Sequence, residues 1–206
     1  MGLTIWLTAA ALYALFLLWH ENWRGKLTPA EIERYLAELD GSPGTDPEAR
    51  AATRAFLEAD DGKPFFMVNL VRIEPGAVPD PMTGTPTRGS ALANRYFRQF
   101  QGVLLARGGY PALAARKVGP YLDSWNTPPD PGWTLMGWMR YRSRRDMLAL
   151  AAHPRFKAAH PYKFAAMPVT FSFPSQPMVM LVAGPRLTVA LVLIAAAALT
   201  QLAVRA

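Results

Sequence analysis

Three histidines, no cysteine and one asparagine set in an apolar run are the first side chains of this 206-residue chain to read for chemistry. His153 and His160 lie seven residues apart, two helical turns on one face, a spacing that could aim two imidazoles at one metal ion. Pro154 and Pro161 follow them directly, which breaks that helical geometry, and no third ligand of the Glu-x-x-His type accompanies them. Helix-end or surface hydrogen bonding is the expected role, and no metal site is predicted. His20 falls where a membrane interface is expected. Asn69 is the polar side chain within an otherwise apolar strand, so it either orients a ligand in a cavity of the sheet or satisfies a nearby backbone group. Asp123, with Ser124 and Trp125, stands at a predicted strand end where a pocket mouth could form, an acid–base candidate without an adjacent histidine for a charge relay. Tyr141 and Trp138 point to opposite faces of one strand, as packing residues or as contacts to a flat ligand. Asn69, Asp123 and Tyr141 are therefore the catalytic candidates.

Cofactors are not expected. The missing cysteine rules out a thiolate nucleophile, a disulfide framework and an iron–sulfur centre, and the glycines between 84 and 89 sit among prolines rather than in a phosphate-cradling loop after a strand. The formal charge of +7 suits anionic lipid headgroups, an acidic protein surface or nucleic acid. Arg140, Arg142, Arg144 and Arg145 form a cluster that either grips lipid phosphate or an acidic partner, or is a solvated helix start with one pair to Asp146. Nucleic acid is not expected, because these arginines are not interleaved with a stacking platform.

Two elements must hold whatever chemistry there is against a bilayer. Residues 3–19 carry no charged side chain and are about long enough to cross a hydrocarbon core. The stretch lacks the basic start and cleavage pattern of a secretory signal, and Trp6, Trp19, Trp23, Arg24 and Lys26 supply interfacial anchors. Residues 187–204 are a second uncharged stretch, opened by Gly184, Pro185 and Arg186, with small residues at 195–198 suited either to a close protein neighbour or to neutral filling. Arg24, Lys26 and Arg34 follow the first span and nothing basic but the amino terminus precedes it, which predicts a cytoplasmic domain between two spans.

Between the spans, Thr28, Pro29 and Glu31 form a capping box that opens a helix with Ile32, Tyr35, Leu36 and Leu39 on its apolar stripe. A turn at 41–45 follows, and Asp46 with Pro47 opens a second helix ending near Asp61 and Gly62, so that 24–62 reads as a helical arm. Residues 65–73 read as a buried strand, 74–87 as a Pro/Gly/Thr-rich loop, and 89–107 as a long helix stopped by Gly108 and Gly109. Strands are expected at 112–122 and 133–141, joined by the proline-dense 126–132. Ser143 and Asp146 cap a helix that Pro154 interrupts and residues 156–164 continue, and the last strand is 169–173, with Val169, Phe171 and Phe173 on one face and Thr170 and Ser172 on the other. The order is β-α-β-β-α-β, and the predicted class is α+β: a ferredoxin-like domain over 63–176 with an antiparallel sheet, between a transmembrane helix with its anchor at 1–23 and a linker with a second transmembrane helix at 177–206.

Phe66 to Leu70 reads F-M-V-N-L, and the helix carrying Tyr96 ends in L-A-R-G-G at Leu105 to Gly109. From Tyr141 to Phe173 run Y-R-S-R-R-D, P-R-F, P-Y-K-F-A-A-M and T-F-S-F-P. Over about Pro64 to Pro174, neither span included, the chain resembles the dimeric α/β-barrel superfamily, in an uncharacterised branch near antibiotic-biosynthesis monooxygenases and EthD-like domains. The resemblance implies two sheets paired face to face, and so a homodimer or a partner on the open face, but no particular reaction. Two functions are expected from different classes. The first is an accessory or structural subunit of a larger membrane complex of respiratory, photosynthetic or transport type. The second is a membrane-tethered, cofactor-free enzyme acting on a small hydrophobic molecule.

Overall fold

The computed structural model describes residues 1–39, 46–179 and 183–205, and the chain falls into two units, Met1–Trp23 with Pro177–Ala206, and Arg24–Gln176. The predicted turn at 41–45 lies outside the described residues. In chain order the elements are α1 (Gly2–His20), α2 (Pro29–Leu39), α3 (Pro47–Glu58), β1 (Phe65–Arg72), β2 (Ala77–Pro79), β3 (Pro86–Arg88), α4 (Gly89–Leu105), β4 (Tyr110–Arg116), β5 (Leu135–Tyr141), α5 (Arg144–Ala151), α6 (Pro154–Ala166), β6 (Val169–Ser175) and α7 (Pro185–Arg205).

In the first unit, α1 and α7 are each long and apolar enough to cross a membrane, about 28 and 31 Å at 1.5 Å per residue. They lie antiparallel. Trp6 Nε1 donates to Gln201 Oε1 at 2.6 Å, and at the other end Arg186 donates to both Glu21 oxygens at 2.6 and 2.7 Å. Ala197 is buried in this pairing, and Ala196, Ala197 and Thr200 face Thr4, Thr8 and Ala9 along the groove between the helices. Small side chains let the two backbones approach. The neighbour of the alanine-rich helix is therefore α1.

In the second unit, a four-stranded sheet runs in the order β4-β5-β1-β6, with every neighbouring pair antiparallel. The face carrying Met67, Asn69 and Val71 lies under α4 and α6. Its core joins Phe65, Leu92, Tyr96, Phe100, Leu104, Met139, Tyr141, Leu150 and Met167. A smaller cluster of Ile32, Tyr35, Leu36, Leu57 and Leu148 fastens α2 and α3 onto α5, so the arm packs onto the domain rather than standing off it. Local signals work as expected at the caps: Thr28 N donates to Glu31 Oε2 while Glu31 N donates back to Thr28 Oγ1, Ala49 N donates to Asp46, and Asp146 N donates to Ser143 Oγ. Gly108, at φ 71°, turns the chain out of α4, a left-handed conformation that glycine adopts without steric cost.

Several elements differ from the sequence reading by more than a residue or two at their ends, or in kind. The segment 74–87 is not a plain loop: it holds most of the β2–β3 hairpin, whose turn is organised by buried Asp80 accepting from Met82 N. β4 stops at Arg116 instead of running to 122: one more backbone bond, Lys117 N to Thr134 O, closes the pairing, after which the Lys117 side chain pairs with Asp130 and the connection folds on its own hydrogen bonds, Gly132 N to Asp130 and Trp133 Nε1 to the Tyr121 hydroxyl. α3 ends at Glu58, ahead of Asp60, whose carboxylate is taken by Leu27 N. α6 passes unbroken through Pro161. The proline costs a backbone hydrogen bond, but burial of Ala159 and Ala166 and the packing of Phe156 against Tyr96 and Phe100 hold the helix across it.

Candidate functional site

One level of the sheet is made of small or polar residues on the helix-facing side. Asn69 of β1 pairs with Gly137 of β5 on one side and with Ser172 of β6 on the other, and Gly137 pairs in turn with Ala114 of β4. Above this level the helices do not reach the sheet, and a cavity of about 220 Å³ opens between them. Met67, Met139, Val71 and Leu135 wall it, Tyr96, Phe97 and Phe100 of α4, Phe156 and Lys163 of α6 and Met167 just after it roof it, and Tyr141 closes one end. Gly137 makes room: a Cβ there would meet the Met139 methyl at 2.9 Å. β6 is the sheet edge, and its cavity-facing Thr170 and Ser172 are exposed, so the cavity opens along that strand.

Asn69 is oriented by its own neighbours. Its Nδ2 donates to Met67 O at 2.9 Å and lies 3.4 Å from Gly137 O, and its Oδ1 accepts from Ser172 Oγ at 2.8 Å. The side chain therefore serves local backbone and lines the cavity at once, and an amide oxygen has a second lone pair left for another donor.

Three further polar side chains line the cavity. Tyr96 and Tyr141 are buried, and burial pushes both phenols above their ordinary value. Lys163 is half-buried, and loss of hydration lowers its ammonium below the usual lysine range. His160, one turn back, is lowered by burial and then by Lys163 and Lys157; its ring stands edge-on to Phe156. The lining contains no carboxylate.

The sequence-derived candidates separate. Asn69 and Tyr141 meet at this cavity, while Asp123 is exposed in the connection after β4 and does not line it. Trp138 lies on the opposite sheet face, 6.5 Å from Phe66. His153 caps α6, its Nδ1 accepting from Arg155 N at 3.2 Å. Among the described residues no group of three or more metal-ligand side chains gathers. The arginine cluster is tied inward: Arg140 donates to Gly108 O, Arg142 to Asp146, Arg144 to Phe56 O over the Phe56 ring, and Arg145 to Glu31 and to the carbonyls of Gly25 and Lys26. Of the span-flanking residues, Trp23 is exposed and donates to Leu17 O, and Arg24 pairs loosely with Glu31.

Sequence reasoning passed over Lys163, Thr170, Ser172 and Gly137 as site residues. The alternation at 169–173 placed Thr170 and Ser172 on one face, and a lone glycine inside a strand pattern marks a place where something approaches closely. A lysine on a helix carries no such signal, because most are solvated.

No protein-family profile and no curated protein matches the chain. Among solved structures, the chain is similar in fold to RPA0582 of Rhodopseudomonas palustris, a protein of unknown function, with 24% identity and a TM-score of 0.52 over 66% of this chain and 96% of that one. A methylated form of RPA0582 aligns at 23% identity and a TM-score of 0.53, over 67% and 96% of the two chains. The likeness concerns the fold, an α+β domain with a four-stranded antiparallel sheet.

Proposed function

We propose that the chain is a membrane-tethered module that receives a small, largely apolar molecule in the cavity between the sheet and α4–α6. The observation that carries this reading is the Gly137–Asn69–Ser172 level, which keeps a polar-floored space open inside an otherwise close-packed aromatic core. At about 220 Å³ the space is below the 300–1,000 Å³ of pockets that take drug-sized ligands, so the occupant is small. The strand order and antiparallel pairing support a ferredoxin-like topology within the dimeric α/β-barrel group. The basic residues after α1 support a cytoplasmic domain, and the antiparallel pairing of α1 with α7 agrees with both termini lying on the other side. Binding of naphthalene-2-carboxamide to the full chain in nanodiscs, followed by calorimetry, tests the cavity: Gly137→Leu should abolish it, and equal binding by that variant overturns the reading.

A second reading, an accessory subunit or a homodimer, draws on the opposite face of the sheet, where Leu113, Phe171 and Phe173 are 42, 54 and 42% exposed. Mild-detergent purification with mass measurement tests it; a bare monomer counts against it, and a stoichiometric larger complex favours it.

A further inference from the structure

We propose that the molecule held in this cavity is an anion, an apolar body with one carboxylate whose charge is met by Lys163, with Tyr96 and Tyr141 as hydrogen-bond donors. This rests on the cavity reading above. Among the described residues, neither phenol hydroxyl nor the Lys163 ammonium has a hydrogen-bond or ion-pair partner, although all three belong to one cavity. Buried polar groups are nearly always paired, and buried tyrosines usually find a partner for the hydroxyl. These three polar atoms keep exposure to the cavity rather than being sealed off, since none of them is among the fully buried side-chain atoms of the described residues that lack a hydrogen-bond partner; they are donors open to an acceptor that enters. The sign of the charge follows from the surroundings: Lys163 is the cationic group of a lining without any Asp or Glu, its other titratable groups are the two phenols, and His160, on which Lys163 and Lys157 both act, brings no negative charge. An ammonium that has lost hydration without gaining a counter-ion is an uncompensated cost, which an entering carboxylate offsets and a neutral molecule does not. The walls of Met67, Met139, Val71 and Phe100 accept only an apolar remainder.

Naphthalene-2-carboxylate and naphthalene-2-carboxamide have nearly the same shape and differ in charge. Calorimetric titration of the full chain in zwitterionic nanodiscs at pH 7.5 should show the carboxylate binding at least tenfold tighter than the amide. Lys163→Gln should bring the two within about twofold, Lys163→Arg should retain the preference, and Tyr141→Phe should weaken the carboxylate severalfold more than the amide. The Tyr141 variant keeps the inference testable should Lys163→Gln fail to fold. Equal binding of both probes to the parent protein, or a preference that survives Lys163→Gln, overturns the anion assignment and leaves the cavity reading standing. Binding of neither probe overturns both.

Discussion

Asp60 and Asp61, neighbours in the chain, hold the first and last segments of the folded domain: Asp60 accepts from Leu27 N at 2.7 Å, and Asp61 accepts from Gln176 Nε2 at 2.9 Å. Both connections to the apolar helices thus leave beside the start of β1, where Ser175 also pairs with Phe66. The two aspartates differ in depth. Asp60 is buried and also receives Gly62 N and the Arg144 guanidinium, so Asp60→Ala should cost about 2–3 kcal/mol by leaving buried donors unpaired. Asp61→Ala should cost less than about 1 kcal/mol. Urea unfolding of the full chain in detergent, followed by tryptophan fluorescence, would reveal the difference.

Arg145 joins α5 to the arm through Glu31 and two backbone carbonyls, and its side chain is 6% exposed. Arg145→Met should therefore destabilise the protein by about 3 kcal/mol, the magnitude for removing one partner of a buried pair. An unchanged urea midpoint would place the arm's attachment in the Leu36–Leu57–Leu148 cluster alone.

The same pair sets an acid dependence. The hydrogen bond from Arg145 brings the Glu31 carboxyl from its ordinary 4.5 to about 2. A carboxyl whose folded value lies below its unfolded one stabilises fully above the unfolded value, and that contribution fades as pH falls from about 4.5 towards 2. The melting temperature of Glu31→Gln should therefore trail that of the parent most at pH 6 and converge with it near pH 2. A constant gap across that range would count against the pair as its source.

Gly137→Leu should trade function for packing. The new side chain enters the cavity against the Met139 methyl, so probe binding is lost, while stability falls by about 1–3 kcal/mol, the usual cost of overpacking. Binding loss with an intact near-ultraviolet circular dichroism spectrum is the expected pair of results.

In the apolar unit, the Trp6–Gln201 hydrogen bond joins α1 to α7, and in a bilayer, as proposed above, it would lie where few waters compete for it. Gln201→Leu should weaken their association by about 1 kcal/mol, in the range found for hydrogen bonds between membrane helices. Cross-linking of cysteine pairs introduced on α1 and α7 would report it cleanly, since the chain has no native cysteine.

What could be read in the sequence was what local chemistry decides. Thr28 with Glu31, Ser143 with Asp146, and Gly108 after α4 announce themselves because a cap or a left-handed turn is settled within four residues. The hairpin at 77–88 was hidden because Pro79 and Pro86 read as loop residues, although they pair with each other at the hairpin's turn end. Pro161 read as a helix breaker because the packing that carries α6 past it comes from α4, distant in sequence. The site was half legible. Asn69 stood out as a polar residue in an apolar strand, and Tyr141 as an aromatic one, but Lys163 acquires its meaning only when α6 lays it over the sheet.

Should α1 and α7 stay paired in a bilayer while the domain unfolds, their antiparallel pairing would act on the unfolded chain as well. With Arg186 still held to Glu21, 165 positions away in sequence, the chain between them would then be a closed loop. Tying the ends of so long a loop removes denatured-state entropy worth about 5 kcal/mol in the chain-entropy account of cross-links. In a protein without a single cysteine, the paired helices would then act as the disulfide it lacks.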